Sequence, residues 1–286
     1  EKIFDAFNIL FMLFMILITL YPFYYVITSS LSDSSYLIGD KGLMLWPKGF
    51  SLEAYKAVMR NPNILTGYRT TLFVVIVGTT INIIMTSLGA FLLTREGFAI
   101  KNVMAYMMIF TMYFSGGMIP TYIIVSKVLH LDNSLWALIL PGAISTYNLL
   151  IMRTNFKNIP RSLEESAKID GANDFIILFR VVLPLSLPIV AVMILFYGVS
   201  HWNSWFSAMI YIRDRSLYPL QLILREILLL NSVESMMSET SATDRYSVGE
   251  SIKYAIIIVT TVPILFVYPF IQKYFVKGIM IGAIKG

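Results

Sequence analysis

In FYGVSHWNSWF, Phe196 to Phe206, the residues Tyr197, His201, Trp202, Asn203 and Trp205 put aromatic faces, an imidazole and an amide into about two and a half helical turns. At 100° per residue, Tyr197, His201, Ser204 and Trp205 fall on one helix face. Aromatic rings stack on the CH surfaces of sugars and a few placed polar groups add hydrogen bonds, so the pattern suits a neutral, polyhydroxylated ligand. Inside an apolar run such a face turns inward, because lipid offers no hydrogen-bond partners. The same residue types also form belts at membrane edges, and this cluster lies in the outer half of its run, so both placements stay open. Tyr113, Tyr147 and Asn148, beside two glycine-proline interruptions, are further candidates for lining a pathway.

A second concentration of polar groups has no catalytic pattern. LEESAKIDGANDF, Leu163 to Phe175, carries Glu164, Glu165, Lys168, Asp170 and Asp174 in a chain with only 14% charged residues. Ser162 followed by Glu165 matches a capping box, which predicts a helix starting near Leu163. Gly171 sits where a left-handed residue would end that helix, and Asn173 can cap a second one that runs to Pro184. Leu163, Ala167 and Asp170 share a stripe of the first helix, small and mixed as a docking surface would be. A cytoplasmic loop is polar in any case, so the charge alone does not separate a docking surface from a solvated one.

The elements that must position these groups are membrane helices. The chain has 57% hydrophobic residues and a mean hydropathy of +0.72, against roughly 45–50% apolar content in ordinary soluble domains. A bilayer core needs roughly 20 apolar residues per helix, and six runs qualify: Ile9–Thr28, Thr71–Leu93, Val103–Val125, Leu135–Met152, Leu185–Ile210 and Ile252–Phe275. The first reads as a span and not a signal peptide, since no small-residue cleavage site follows it. FSGGMIP and LPGAIS interrupt two runs, either as kinks beside a pathway or as points of close helix packing. Long outer loops are expected at about 29–70, where SLEAYKAV reads as a short helix capped by Ser51, and at about 212–251, which opens with the amphipathic piece Leu220 to Leu230. The charged stretch lies in an inner loop at about 153–184. Six spans put both termini on the side of that loop. Eleven of the 22 lysines and arginines fall there, packed close to span ends, which predicts a cytoplasmic location for both termini.

Several chemistries are excluded. There is no cysteine, and His130 and His201 lie far apart without metal-ligand spacing. No phosphate-binding loop of the G-x-x-x-x-G-K-[ST] type occurs; Gly278 and Gly282 have the wrong spacing. The net charge of +5 is spread over membrane flanks, not a nucleic-acid surface. Ionisable groups are nearly absent from the six runs, which argues against ion coupling. Arg213, Arg215 and Arg225 in the second outer loop keep acidic oligosaccharides open as cargo.

EESAKIDGANDFIILFRVVLPLSLP resembles the EAA motif of ABC-importer permeases, with Glu165-Ser166-Ala167 in the E-A-A place, Asp170-Gly171-Ala172 in the D-G-A place and Val182-Leu183-Pro184 closing it. Ser166 replaces the usual alanine and is small enough for a tight groove. WALILPGAISTYNLLIMRTNFKNIP, HWNSWFSAMIYIRDRSLYPLQLIL and the ending KYFVKGIMIGAIKG are similar to permeases of the carbohydrate uptake transporter-1 family, and FSGGMIPTY resembles a subgroup for complex oligosaccharides such as pectin fragments. The resemblance implies an all-α membrane protein of the type I ABC importer permease fold. It would be a single permease domain over residues 1–286 with six transmembrane helices in the bacterial cytoplasmic membrane. It implies a second homologous permease, hence a heterodimer, and two ATPase subunits that hold the ATP and Mg. It also implies a periplasmic or extracellular solute-binding protein, an oligosaccharide cargo, and no cofactor or catalytic residue on this chain. Glu164, Glu165, Ala167, Asp170, Gly171 and Ala172 would form the ATPase-coupling helix, with Glu165 facing a basic group of the ATPase, while the outer loop would meet the binding protein and the C-terminal tail the ATPases. The alternative, an ion-driven secondary sugar transporter, would need an internal inverted repeat and mid-span ionisable groups.

Overall fold

The structure, a computed structural model, describes residues 2–37, 42–229, 251–266 and 269. In chain order the helices are α1 (Lys2–Ser30), α2 (Ser34–Leu37), α3 (Glu53–Arg60), α4 (Pro62–Leu92), α5 (Lys101–Tyr113), α6 (Met118–Ile123), α7 (Trp136–Ile139), α8 (Thr146–Lys157), α9 (Arg161–Ile169), α10 (Asp174–Ile176), α11 (Leu183–Leu185), α12 (Leu187–Trp202), α13 (Phe206–Tyr211), α14 (Leu220–Leu229) and α15 (Ser251–Phe266). π-helical turns over Ile124–Val128 and Ile177–Val182 prolong α6 and join α10 to α11. The described residues hold no strand; their extended pairing is one isolated bridge between Ser32 and Phe50.

α1 and α4 are long and apolar enough to cross a bilayer. Two further spans exist only if each bent pair counts as one: α5 with the segment Met118–Val128, bent by 116°, and Asp174–Leu185 with α12, bent by 88°. The first bend falls at FSGGMIP and has a backbone cause. Gly117 adopts φ +86° with nothing within 4 Å of where a Cβ would sit, so the glycine serves a turn and not close packing. Likewise nothing approaches Gly142. The run Leu135–Met152 is not one helix: α7 ends at Ile139, a 3₁₀ turn covers Leu140–Gly142, and α8 starts at Thr146. Pro141 cannot donate the amide that a continuing helix would use, and the Ser145 hydroxyl restarts it by accepting the Asn148 N–H (3.4 Å). The predicted fifth run is also shorter, since the chain bends at Ser186 and α12 ends at Trp202.

The chain forms two compact units, Glu1–Gly67 with Leu220–Pro263 and Tyr68–Pro219 with Ile264–Gly286. In the first, α1 is exposed over most of its length, half-buried at Tyr21, Tyr25 and Val26 and buried at Thr28, Ser29 and Ser30. The Ser30 hydroxyl meets Tyr55 at 2.7 Å, and Ser34 bonds Ser251. α3 begins one residue later than expected, with Leu52 at the cap position; the Ser51 hydroxyl still accepts the Glu53 N–H at 3.3 Å. α14 buries Leu220, Leu222, Ile223 and Ile227, and a Cβ on Gly67 would come within 2.6 Å of Ile223. Its apolar face is therefore used inside the protein, not free to lie on a membrane surface. Its predicted polar arm, and the C-terminal tail, lie outside the described residues.

In the second unit, Phe91 and Leu93 at the end of α4, Leu149, Met152 and Phe156 of α8, Ile177, Leu178 and Val182 of the π segment, and Met193 and Tyr197 of α12 form one buried cluster. Between helices in lipid, apolar burial brings no gain over lipid contact, so close van der Waals fit must hold them. Small residues permit it: Gly89 lets Leu149 approach so near that an added Cβ would lie 2.7 Å from its Cδ1.

Candidate functional site

The second unit encloses a cavity of about 540 Å³. It is walled by the broken segment Pro141–Ser145, by Asn148 of α8, by Tyr197, Ser200 and His201 of α12, and by Ser204, Ser207 and Tyr211 beyond it. No lysine, arginine, aspartate or glutamate lines it. The wall is fixed by a polar stripe on α4, where Thr79, Asn82, Thr86 and Ser87 are all buried at the i, i+3, i+7, i+8 spacing of one helix face. Asn82 donates its amide to the Gly142 carbonyl (2.6 Å) and turns its oxygen to His201 Nε2 (2.7 Å). Since only the NH₂ group can donate to a carbonyl, Asn82 Oδ1 must accept, and His201 carries its proton on Nε2. Nδ1 is then left as an acceptor, suited to a ligand hydroxyl. Four residues further on, Thr86 shares a 2.7 Å bond with the Tyr197 hydroxyl, which also accepts the Ser145 N–H at 3.1 Å. Two side chains of α4 thus hold both the helix break and the α12 wall. At the cavity's far end Tyr211 stacks on Tyr122, centroids 5.9 Å apart and planes 6° from parallel. The Asn133 side chain accepts the backbone N–H groups of Arg213 and Asp214 there.

The structure brings Tyr197, His201 and Asn148 to this cavity, together with Ser204. The other residues of the set lie elsewhere. Trp202 is buried edge-on against Tyr68, with centroids 6.4 Å apart. Asn203 is the exposed C-cap of α12, and Trp205 packs against Phe206 past the helix end. A single face through Trp205 requires a helix that continues past Trp202, where α12 ends. Tyr113 and Tyr147 are 78% and 58% exposed. The α4 stripe and Ser145 belong to the site in addition to the residues that the sequence pattern points to. The available signal was TTINIIMTS, whose polar residues recur at helical spacing in an otherwise apolar run.

Gly78, one turn before Asn82, touches His201 closely enough that a Cβ would lie 2.6 Å from Nε2. We expect Gly78→Ala to displace the imidazole, break its bond to Asn82 and cost about 1–3 kcal/mol by overpacking. Thermal unfolding in detergent reads this directly. With His201→Ala added, the Gly78→Ala penalty should largely disappear; an equal penalty in both backgrounds refutes the contact.

The charged loop forms a helix, a glycine turn and a second helix. α9 starts at Arg161 behind Pro160, and no side-chain cap bond forms at that end. The expected capping box is therefore absent: Pro160 takes the cap position with φ −59°, so the helix begins at Arg161, two residues early, and Ser162 falls in its first turn. The other end follows expectation. Gly171 has φ +81°, its N–H bonds the Lys168 carbonyl (3.0 Å), and the Ala172 N–H reaches the Ala167 carbonyl (2.9 Å), which is a Schellman closure. Asn173 caps α10 by accepting the Ile176 N–H at 2.9 Å. Ala167 and Ala172 pack inward on the buried cluster, so of the Leu163–Ala167–Asp170 stripe only Leu163 and Asp170 are exposed. Glu164 is also turned inward, in a bidentate pair with Arg95 (2.7 and 2.8 Å) that leaves the two side chains 17% and 16% exposed. The Arg95 guanidinium lies 3.8 Å over the Phe91 ring, and Arg161 pairs with Glu96. What faces outward is Glu165, Lys168, Asp170, Ile169 at 87% exposure and Phe175 at 66%.

Comparison with known proteins agrees with this architecture. The profile of the family described as "Binding-protein-dependent transport system inner membrane component" matches residues 80–281. The polygalacturonan/rhamnogalacturonan transport system permease protein YtcP of Bacillus subtilis is 42% identical over all of this chain and 99% of its own length. The arabinooligosaccharides transport system permease protein AraQ of the same organism is 25% identical over 97% of this chain and 94% of its own. Among solved structures, a chain of a bacterial ABC transporter involved in the import of the acidic polysaccharide alginate superimposes with a TM-score of 0.87 at 28% identity, covering 96% of this chain and 97% of that one. With an all-helical second unit carrying both the cavity and the capped loop, and with the family profile spanning most of the chain, this protein belongs to the family of inner-membrane components of binding-protein-dependent transport systems.

Proposed function

We propose that the chain is one permease of an ATP-driven importer of oligosaccharides, and that α9 to α10 is its coupling element, seated in a cleft of a partner ATPase. The observation that carries this is the loop's construction. Glu164, Ala167 and Ala172 anchor it inward, the glycine turn closes it, and Glu165, Ile169 and Phe175 are left as protruding contacts on a stiff body. A body of that kind transmits a push without catalytic side chains. ATP and Mg would be held by two ATPase subunits, consistent with the missing phosphate loop. A second homologous permease and an external solute-binding protein would complete the assembly. In this reading the chain has six spans, as one permease domain, and both termini are cytoplasmic. α8 and α15 supply spans despite being short.

The uncharged cavity, with its acceptor nitrogen, hydroxyls and stacked tyrosines, suits the hydroxyl edges of a sugar chain. The names of the relatives, which refer to pectic, arabinose-containing and alginate polymers, support an oligosaccharide derived from such polymers. The test is purification of the tagged chain from cells that do or do not carry the neighbouring ATPase gene, followed by uptake into vesicles. A stable complex and uptake that requires internal ATP are expected. Uptake by the chain without any ATPase subunit, driven by an ion gradient, would refute the reading.

A further inference from the structure

A second cavity, of about 480 Å³, opens where α4 ends, α5 begins and α8 ends, beside the first turns of α9. Six cationic side chains and three carboxylates line it. Two cations are already spent, Arg95 on Glu164 and Arg161 on Glu96. That leaves Lys101, Arg153, Lys157 and Lys168 against the one carboxylate of Glu165. Lys101 donates to the Arg95 carbonyl (2.9 Å), and Arg153 uses only its Nε, at 3.4 Å, on the Leu93 carbonyl. Arg153, Lys157 and Lys168 therefore line a space with a surplus of positive charge. The rest of the lining is mixed: Thr94 and Asn102 are polar, Ile159 is half-buried, and Leu93 and Phe156 lie almost fully buried behind them.

We propose that this cavity binds the phosphate group of an anionic membrane lipid. A phosphate offers several charge-dense oxygens, which match a guanidinium fork and two point-charge ammoniums. Its position at the ends of membrane helices is where lipid headgroups lie, and basic pockets between such helices are suited to anionic headgroups. The place of the cavity, at the ends of α4 and α8 where membrane helices meet the headgroup layer, favours a lipid phosphate over a free anion. Filling the site would also tie the loop after α4 to the end of α8, both of which border α9. The proposal rests on the chain being a membrane protein, and Glu165 and Lys168 belong both to this cavity and to the outward side of α9.

The test uses the full chain in nanodiscs of equal phosphatidylglycerol and phosphatidylcholine, then gentle delipidation and native mass spectrometry of the retained lipid. Phosphatidylglycerol should be retained over phosphatidylcholine, and Lys157→Gln and Arg153→Gln should each reduce that preference about fivefold. Arg153→Lys should keep most of it, which separates charge from folding should Arg153→Gln prove unstable. Equal retention of the two lipids, or a preference unchanged by both glutamine variants, overturns the proposal. In a second arm, inorganic phosphate is added to lipid-free detergent micelles. Stabilisation equal to that given by phosphatidylglycerol would make solution phosphate the ligand and overturn the lipid assignment. In a third, expulsion of the retained lipid on addition of the ATPase subunit, with cross-linking of position 157 to it, would make the cavity a subunit contact and also overturn it.

Discussion

Gly171→Val should abolish substrate uptake and substrate-stimulated ATP hydrolysis while leaving the protein in the membrane at normal abundance. The position has open space around it, with no atom within 4 Å of a built Cβ, so the effect is conformational and not a clash. A β-branched residue at φ +81° is strained by roughly 1–2 kcal/mol, and relief by moving to an ordinary φ swings the Ala172 and Asn173 backbone. That opens the two reverse-turn bonds to Ala167 and Lys168 and redirects α10 relative to α9. Gly171→Asn is the control, because asparagine tolerates the left-handed region, and it should retain much of the activity. Glu165→Lys in the same assay reverses the charge of an exposed side chain without touching the turn, so it should also lose ATPase coupling, with an unchanged melting temperature. Normal uptake in both Gly171→Val and Glu165→Lys would sink the coupling assignment.

Glu164→Gln should destabilise the second unit clearly more than the same change at its exposed neighbour Glu165. The Glu164 carboxylate satisfies Arg95 through two parallel bonds in a mostly buried setting. Removing its charge leaves a guanidinium over the Phe91 ring with an amide in place of its anion. Loss of a charged hydrogen-bonded partner under cover costs roughly 2 kcal/mol, discounted here for the remaining exposure of both groups. Arg95→Gln should cost less, because it removes the cation and leaves a carboxylate that can reach solvent. The double exchange Arg95→Glu with Glu164→Arg should recover part of the stability, read as thermal unfolding of the detergent-solubilised protein. A loss for Glu164→Gln no larger than for Glu165→Gln would refute the anchoring role.

What could be read from the chain follows from how locally each feature is encoded. Gly171 and Asn173 were legible because a left-handed turn and an N-cap are each decided within a few residues. The kinks at FSGGMIP and LPGAIS were visible for the same reason, as breaks, although not the 116° angle of the first. The capping box failed on an equally local point, since Pro160 shifted the helix start upstream. The α4 stripe was not legible as a site, because Asn82 and Thr86 find partners 119 and 111 residues away. The inward turn of Glu164 was also hidden, since two adjacent glutamates look alike until Arg95, 69 residues earlier, is placed beside one of them.

The buried bonds of α4 also restrict how it can travel. Asn82 and Thr86 stand one turn apart and meet His201 and Tyr197, which also stand one turn apart on α12. A small axial slip breaks both bonds at once, leaving His201 Nε2 and the Thr86 hydroxyl without these partners in a largely buried setting. Relief comes only when the teeth re-engage a full turn along, about 5.4 Å away, with Asn82 opposite Tyr197 or Thr86 opposite His201. The pair of helices is therefore built as a rack with a fixed pitch: it resists creeping and favours either staying in register or jumping by one notch.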